Sequence, residues 1–72
     1  MKIFKPSQTV RVHQPRAEAD RRVGDALTAA AHSAPGVDIR IRVVTAAFDR
    51  TDFEIKSWSP EARAAAAKAL LG

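Results

Sequence analysis

Apolar and charged residues alternate along Val37-Asp38-Ile39-Arg40-Ile41-Arg42-Val43-Val44. Ile39, Ile41 and Val43 fall on one side, and Asp38, Arg40, Arg42 and Val44 on the other. This is the period of a strand with one face on a core and the other in water. Thr9-Val10-Arg11-Val12-His13 repeats the pattern, with Val10 and Val12 inward and Arg11 and His13 outward. So does Phe53-Glu54-Ile55-Lys56-Ser57-Trp58, with Phe53 and Ile55 inward. Between the runs Val37–Val44 and Phe53–Trp58, Asp49 to Asp52 is polar and turn-like, which predicts a hairpin whose first arm reaches Phe48. The alanines at 46 and 47 leave a helical turn there as the rival reading. Lys2 to Lys5 is a short apolar piece closed by Pro6-Ser7-Gln8, read as an edge strand or a loose lead-in.

Two segments carry a helical period instead. Ala19, Val23, Ala26, Leu27, Ala30 and Ala34 follow one apolar helical stripe, with Glu18, Arg21, Arg22, Asp25 and His32 opposite. Pro15 suits the first turn of that helix, Glu18 and Asp20 suit its positive end, and Glu18 and Arg22 are spaced for a weak ion pair. Gly24 costs the helix about 1 kcal/mol relative to alanine, which points to close approach to the sheet. Ser33-Ala34-Pro35-Gly36 ends it. The second helix, Pro60 to Leu71, opens on Ser59-Pro60-Glu61, which combines a capping serine, a proline at the first position and an acid near the dipole's positive end. Its alanines favour helix but bury little area, so Ala62, Ala66, Ala69 and Leu70 should lie close to the sheet, with Arg63 and Lys68 exposed.

The resulting order is β-α-β-β-α: a two-layer α+β fold with a mixed three-stranded sheet and both helices on one face. A right-handed crossover makes the first two strands run in the same direction, and the third lies between them or at the edge. At 72 residues the chain is one small domain, 1–72, close to the size at which burial only just outweighs chain entropy. Val10, Val12, Val23, Leu27, Val37, Ile39, Ile41, Val43, Phe53, Ile55 and Leu70 supply the core, with Ile3, Phe4, Phe48 and Trp58 as contributors. That fills one sheet face and leaves nothing for an enclosed substrate pocket.

Composition narrows the function classes. The absence of cysteine excludes disulfides, thiolate metal sites and cysteine nucleophiles. His13 and His32 show no zinc spacing, and Asp49 with Asp52 lacks the remaining ligands of a calcium loop. There is no glycine-rich phosphate loop and no serine in a nucleophile elbow. The expectation is a non-enzymatic protein without cofactor or metal. No apolar run approaches membrane-spanning length, so a cytoplasmic protein is expected. Abundant alanine and an excess of arginine over lysine suit a bacterial or phage genome.

The formal net charge of +4 draws the chain toward anionic partners. The sheet face left open by the helices would carry Arg11, His13, Asp38, Arg40, Arg42, Val44, Glu54 and Lys56, with Trp58 beside them if it is not buried above the last helix. Arg40 and Arg42 project side by side and can grip carboxylates or phosphates through their planar forks. Arg11, Arg40, Arg42, Val44, Lys56 and Trp58 are therefore the candidate partner-binding residues. The bland alternative is a solvated outer sheet face whose charges only keep the protein soluble. Phe53 to Leu71 resembles the last strand and alanine-rich helix of double-stranded-RNA-binding domains. Those domains start that helix with lysines, whereas this chain has Ser59-Pro60-Glu61, so the family's functional residues do not carry over. Interleaved opposite charges with a few apolar anchors suit a protein partner bearing an acidic patch. This makes an accessory or regulatory interaction module the leading expectation. Nucleic acid is the alternative partner for the same face, and self-association into a homodimer is the related reading.

Overall fold

The computed structural model describes residues 5–72. The elements are β1 (Ser7–Val12), α1 (Arg16–Ser33), β2 (Ile39–Ala47), β3 (Arg50–Ser57) and α2 (Pro60–Leu71), the expected β-α-β-β-α order. The expectations placed on Lys2 to Lys5, Ile3 and Phe4 fall largely or wholly outside the described residues. One sheet has the order β1-β3-β2. β3 thus takes the central position, antiparallel to both neighbours, while β1 and β2 run in the same direction without touching. Of the two placements open to the third strand, the structure takes the one in which every hydrogen-bonded pairing is antiparallel.

The hairpin is tighter than the polar run at 49–52 suggests. Only Phe48 and Asp49 lie in the turn, and Arg50, Thr51 and Asp52 already belong to β3. Alternation explains this: Thr51, Phe53, Ile55 and Ser57 are buried on the helix side, and a strand extended back from Phe53 places Thr51 inward. The Thr51 hydroxyl is satisfied there by donating to the Gln14 carbonyl at 3.1 Å. Phe48, expected in the core, is 95% exposed because it sits at the tip of the turn. A register shift between Val43 and Thr45 makes Val44 a bulge residue, so Thr45 pairs with Asp52 on the open face.

The helical layer packs on the face carrying Val10, Val12, Phe53 and Ile55, all buried. α2 lies over β1 and β3, and α1 over β2 and β3. Ala19, Ala26 and Ala30 of α1 and Ala62, Ala66 and Leu70 of α2 are fully buried. Small side chains let the two helices approach closely, and Arg22 ties them by donating to the Leu70 carbonyl at 3.0 Å. That contact replaces the expected Glu18–Arg22 pair; Arg16 and Asp20 form the helix-surface pair instead, at 3.6 Å.

Several details differ from expectation. Pro15 precedes the helix as its cap residue, its carbonyl accepting from the Glu18 and Ala19 amides at 3.1 and 3.0 Å. Gly24 is exposed, with open space where a Cβ would stand, so it marks no close approach to the sheet. Leu27 lies at the margin of the apolar stripe and is 40% exposed, and Trp58 is 53% exposed just past the end of β3. Arg63 folds back from α2 and donates to the Ser57 carbonyl at 2.6 Å, closing the end of β3. The Ser59 cap is as expected, its hydroxyl accepting from the Ala62 amide at 3.1 Å.

Candidate interaction surface

Directly opposed residues of an antiparallel ladder share a face, so the register assigns the open side row by row. The row nearest Trp58 holds Ser7, Lys56 and Arg40. The next holds Thr9, Glu54 and Arg42, and the one after that Arg11, Asp52 and Thr45. The central strand therefore supplies both acids, and the edge strands place arginines beside them.

Those acids consume much of the apparent basicity. Arg42 Nε donates to Glu54 Oε1 at 2.8 Å, and Lys56 Nζ stands 3.7 Å from the same oxygen. The Arg42 hydrogen bond is the main reason the Glu54 carboxyl is held below its usual pKa, with the charges of Arg42 and Lys56 adding to it against a partial desolvation. Arg11 Nε donates to Asp52 Oδ1 at 3.2 Å, with Arg50 Nε 4.0 Å from that atom. Asp52 is nearly buried among these neighbours. At the Trp58 end, Lys5 binds Asp38 across the end of β3, and that hydrogen bond is the leading cause of the lowered Asp38 pKa.

Among the described residues, Arg40 is the face's one arginine without an ion-pair partner. Directly opposite it stands another cation, Lys56. The candidate residues thus separate into groups. Arg40 and Lys56 share a row whose third member is a serine, with exposed Trp58 two positions beyond Lys56. Arg42 is in the adjacent row but neutralised by Glu54, Arg11 is committed to Asp52 on the far strand, and Val44 lies at the bulge toward the hairpin end.

The sequence reading missed Arg50, which joins the Arg11–Asp52 cluster. Its signal was the continuation of period two through Arg50, Asp52, Glu54 and Lys56. The edge of β2 was missed as well. An open groove of about 550 Å³ wraps that edge, with Leu27, Ile39 and Ile41 on one side and Arg40, Arg42, Glu54 and Lys56 on the other. Ile39, Ile41 and Val43 point toward the helical layer yet remain only half-buried. Among the described residues no strand pairs with the outer edge of β2. No helix of the described residues is long and apolar enough to cross a membrane.

Comparison with known proteins adds no functional lead, since no family model, curated protein or solved structure matches the chain.

Proposed function

We propose that this chain is a small non-catalytic interaction module, an accessory or regulatory protein of a bacterial or phage cytoplasm. It docks on an acidic patch of a larger protein through the arginine-bearing sheet face. The observation that carries this reading is the Arg40–Lys56 row: among the described residues Arg40 has no ion-pair partner, and it stands directly opposite Lys56, which shares Glu54 of the next row with Arg42. An arginine held on a strand keeps its fork free for a carboxylate, and an exposed tryptophan nearby supplies the apolar anchor typical of an interface centre. Elsewhere on the face Arg42 is committed to Glu54, and Arg11 and Arg50 share Asp52, which favours recognition at the Trp58 end of the sheet and on the β2 side.

Nucleic acid is less well matched to this face. Asp52 and Glu54 run down its middle, where a phosphate backbone crossing the sheet would meet them, and among the described residues no aromatic side chain belongs to its paired rows. The test is fluorescence anisotropy with mixed-sequence single- and double-stranded oligonucleotides over a salt series, comparing the native protein with Arg40→Glu. The expected result is weak binding that disappears below physiological salt. Tight binding with a steep salt dependence would mean that several phosphates are neutralised, and would transfer the face to nucleic acid.

A further inference from the structure

We infer that the partner is held as a fourth strand: an extended segment of alternating acidic and apolar residues pairs with the free edge of β2 along Ile39–Val43. This rests on the protein-partner reading above and specifies its geometry.

The argument begins with the backbone. β2 is a sheet edge whose outward N–H and C=O groups meet no strand among the described residues. Its regular pairing with β3 runs from Ile39 to Val43 and is broken by the bulge at Val44, so a straight edge of that length is available and ends at a defined point. A peptide laid along it gains a ladder of main-chain hydrogen bonds, and its side chains alternate between the two faces of the sheet.

Each face then selects its own chemistry. On the helix side, Ile39, Ile41 and Val43 are half-buried and Leu27 of α1 stands exposed above the groove. Apolar side chains of an added strand would complete their burial, extending the core by one strand's width. On the open side, Arg40 and Arg42 flank the same edge. Acidic side chains there would pair with Arg40 directly and compete with Glu54 for Arg42. One strand with acids at alternate positions and apolar residues between them meets both demands.

A second copy of this chain is the natural competitor, and charge argues against it. In a two-fold antiparallel pairing of β2 with itself, a register centred on Ile41 sets Arg40 opposite Arg42. A register centred on either arginine sets that residue against its own copy, and the Arg42–Asp38 opposition that the Arg40-centred register brings falls on an acid already bound by Lys5. Like charges directly opposed across strands are destabilising. The arginines that attract an acidic strand therefore also deter self-pairing along this edge, the use that edge strands commonly make of charge.

The probe is the capped, fluorescent peptide Glu-Val-Glu-Val-Glu-Val-Glu, titrated into the full chain at low salt. Amide hydrogen exchange is followed in parallel. Binding should slow exchange at those β2 amides that point away from β3, and leave β1 unchanged. Arg40→Glu should weaken it about tenfold, as expected for replacing an attractive exposed ion pair by a repulsive one. N-methylation of the peptide at every central residue, which keeps its charge but removes its ladder donors, should abolish it, and a lysine-for-glutamate peptide should not bind. Binding of the acidic peptide with no new protection along β2, or undiminished by N-methylation, would overturn the added strand while leaving a face-docking module in place. Protection of β2 in the peptide-free protein that grows with protein concentration, with a dimer in sedimentation, would replace the acidic segment by a second copy. No binding of the acidic peptide would overturn the added strand, and the oligonucleotide series would then decide separately whether the protein-partner reading also falls.

Discussion

β1 and β2 flank the same central strand and present valine or isoleucine to the same helical layer, yet they end up in different surroundings. Val10 and Val12 of β1 are buried, while Ile39, Ile41 and Val43 of β2 are half-buried, the two isoleucines beside an open groove. The difference comes from the helices. α2 follows β3 through the short Trp58-Ser59 link and lies over β3 and β1. α1 is committed to α2 through a contact built largely of alanines, and at the groove it offers β2 one large side chain, the half-exposed Leu27. A helix whose buried stripe is Ala19, Ala26 and Ala30 can approach its neighbour closely but has little reach toward a third strand. Burial is therefore completed on the β1 side and left incomplete on the β2 side, which is also where the unpaired Arg40 stands.

The largest effect that separates the two edges comes from one substitution made on both. Val12→Thr puts a hydroxyl into a buried site and should cost about 1–3 kcal/mol in urea unfolding, whereas Val43→Thr, at a partly buried site that water reaches, should cost clearly less. Equal losses would mean that β2 is covered as fully as β1. A second contrast uses the helix that covers β1. Ser59→Ala removes the cap of α2 and should lower stability by about 1 kcal/mol, with faster amide exchange in α2 and β1 ahead of β2.

How far the sequence foretells this division depends on the residue. Alternation along Thr9–His13, Val37–Val44 and Phe53–Trp58 is enough to find the three strands and their inward faces but not their ends: β1 begins at Ser7, inside the stretch read as a turn, and stops before His13, and β2 begins only at Ile39. Ser59-Pro60-Glu61 likewise marked the start of α2. Which strand sits in the middle was not legible, since a crossover followed by a hairpin satisfies both orders until the helices are packed. Phe48 and Leu27 were misjudged for a related reason. Hydrophobicity says that a side chain gains by burial, but a turn tip and the margin of a helical stripe decide whether burial is available. The arginines of the open face were visible as a pattern. Their inequality was not, because it depends on the register that sets Glu54 beside Arg42 and Lys56 beside Arg40.

That inequality gives the smallest effect, a pH dependence. Glu54 and Asp38 have folded-state pKa values lowered by Arg42 and Lys5, respectively. The unfolded chain therefore takes up protons at higher pH than the folded one. The stabilisation from these groups is fully present above their ordinary carboxyl range, and is lost as the pH falls through that range toward the lowered values. The urea midpoint should decline over that acid window, and Glu54→Gln should flatten part of the decline. The same substitution frees Arg42 and should strengthen binding of the acidic peptide, whereas Arg11→Gln on the β1 side should leave that binding unchanged.

The most direct test of the unequal edges is amide hydrogen exchange of the full chain, read residue by residue along the outward-pointing amides of β1 and β2, without and with the acidic peptide. The account predicts that peptide addition slows exchange along Ile39–Val43 and leaves Ser7–Val12 as it was. Protection arising on β1, or equally on both edges, would contradict it.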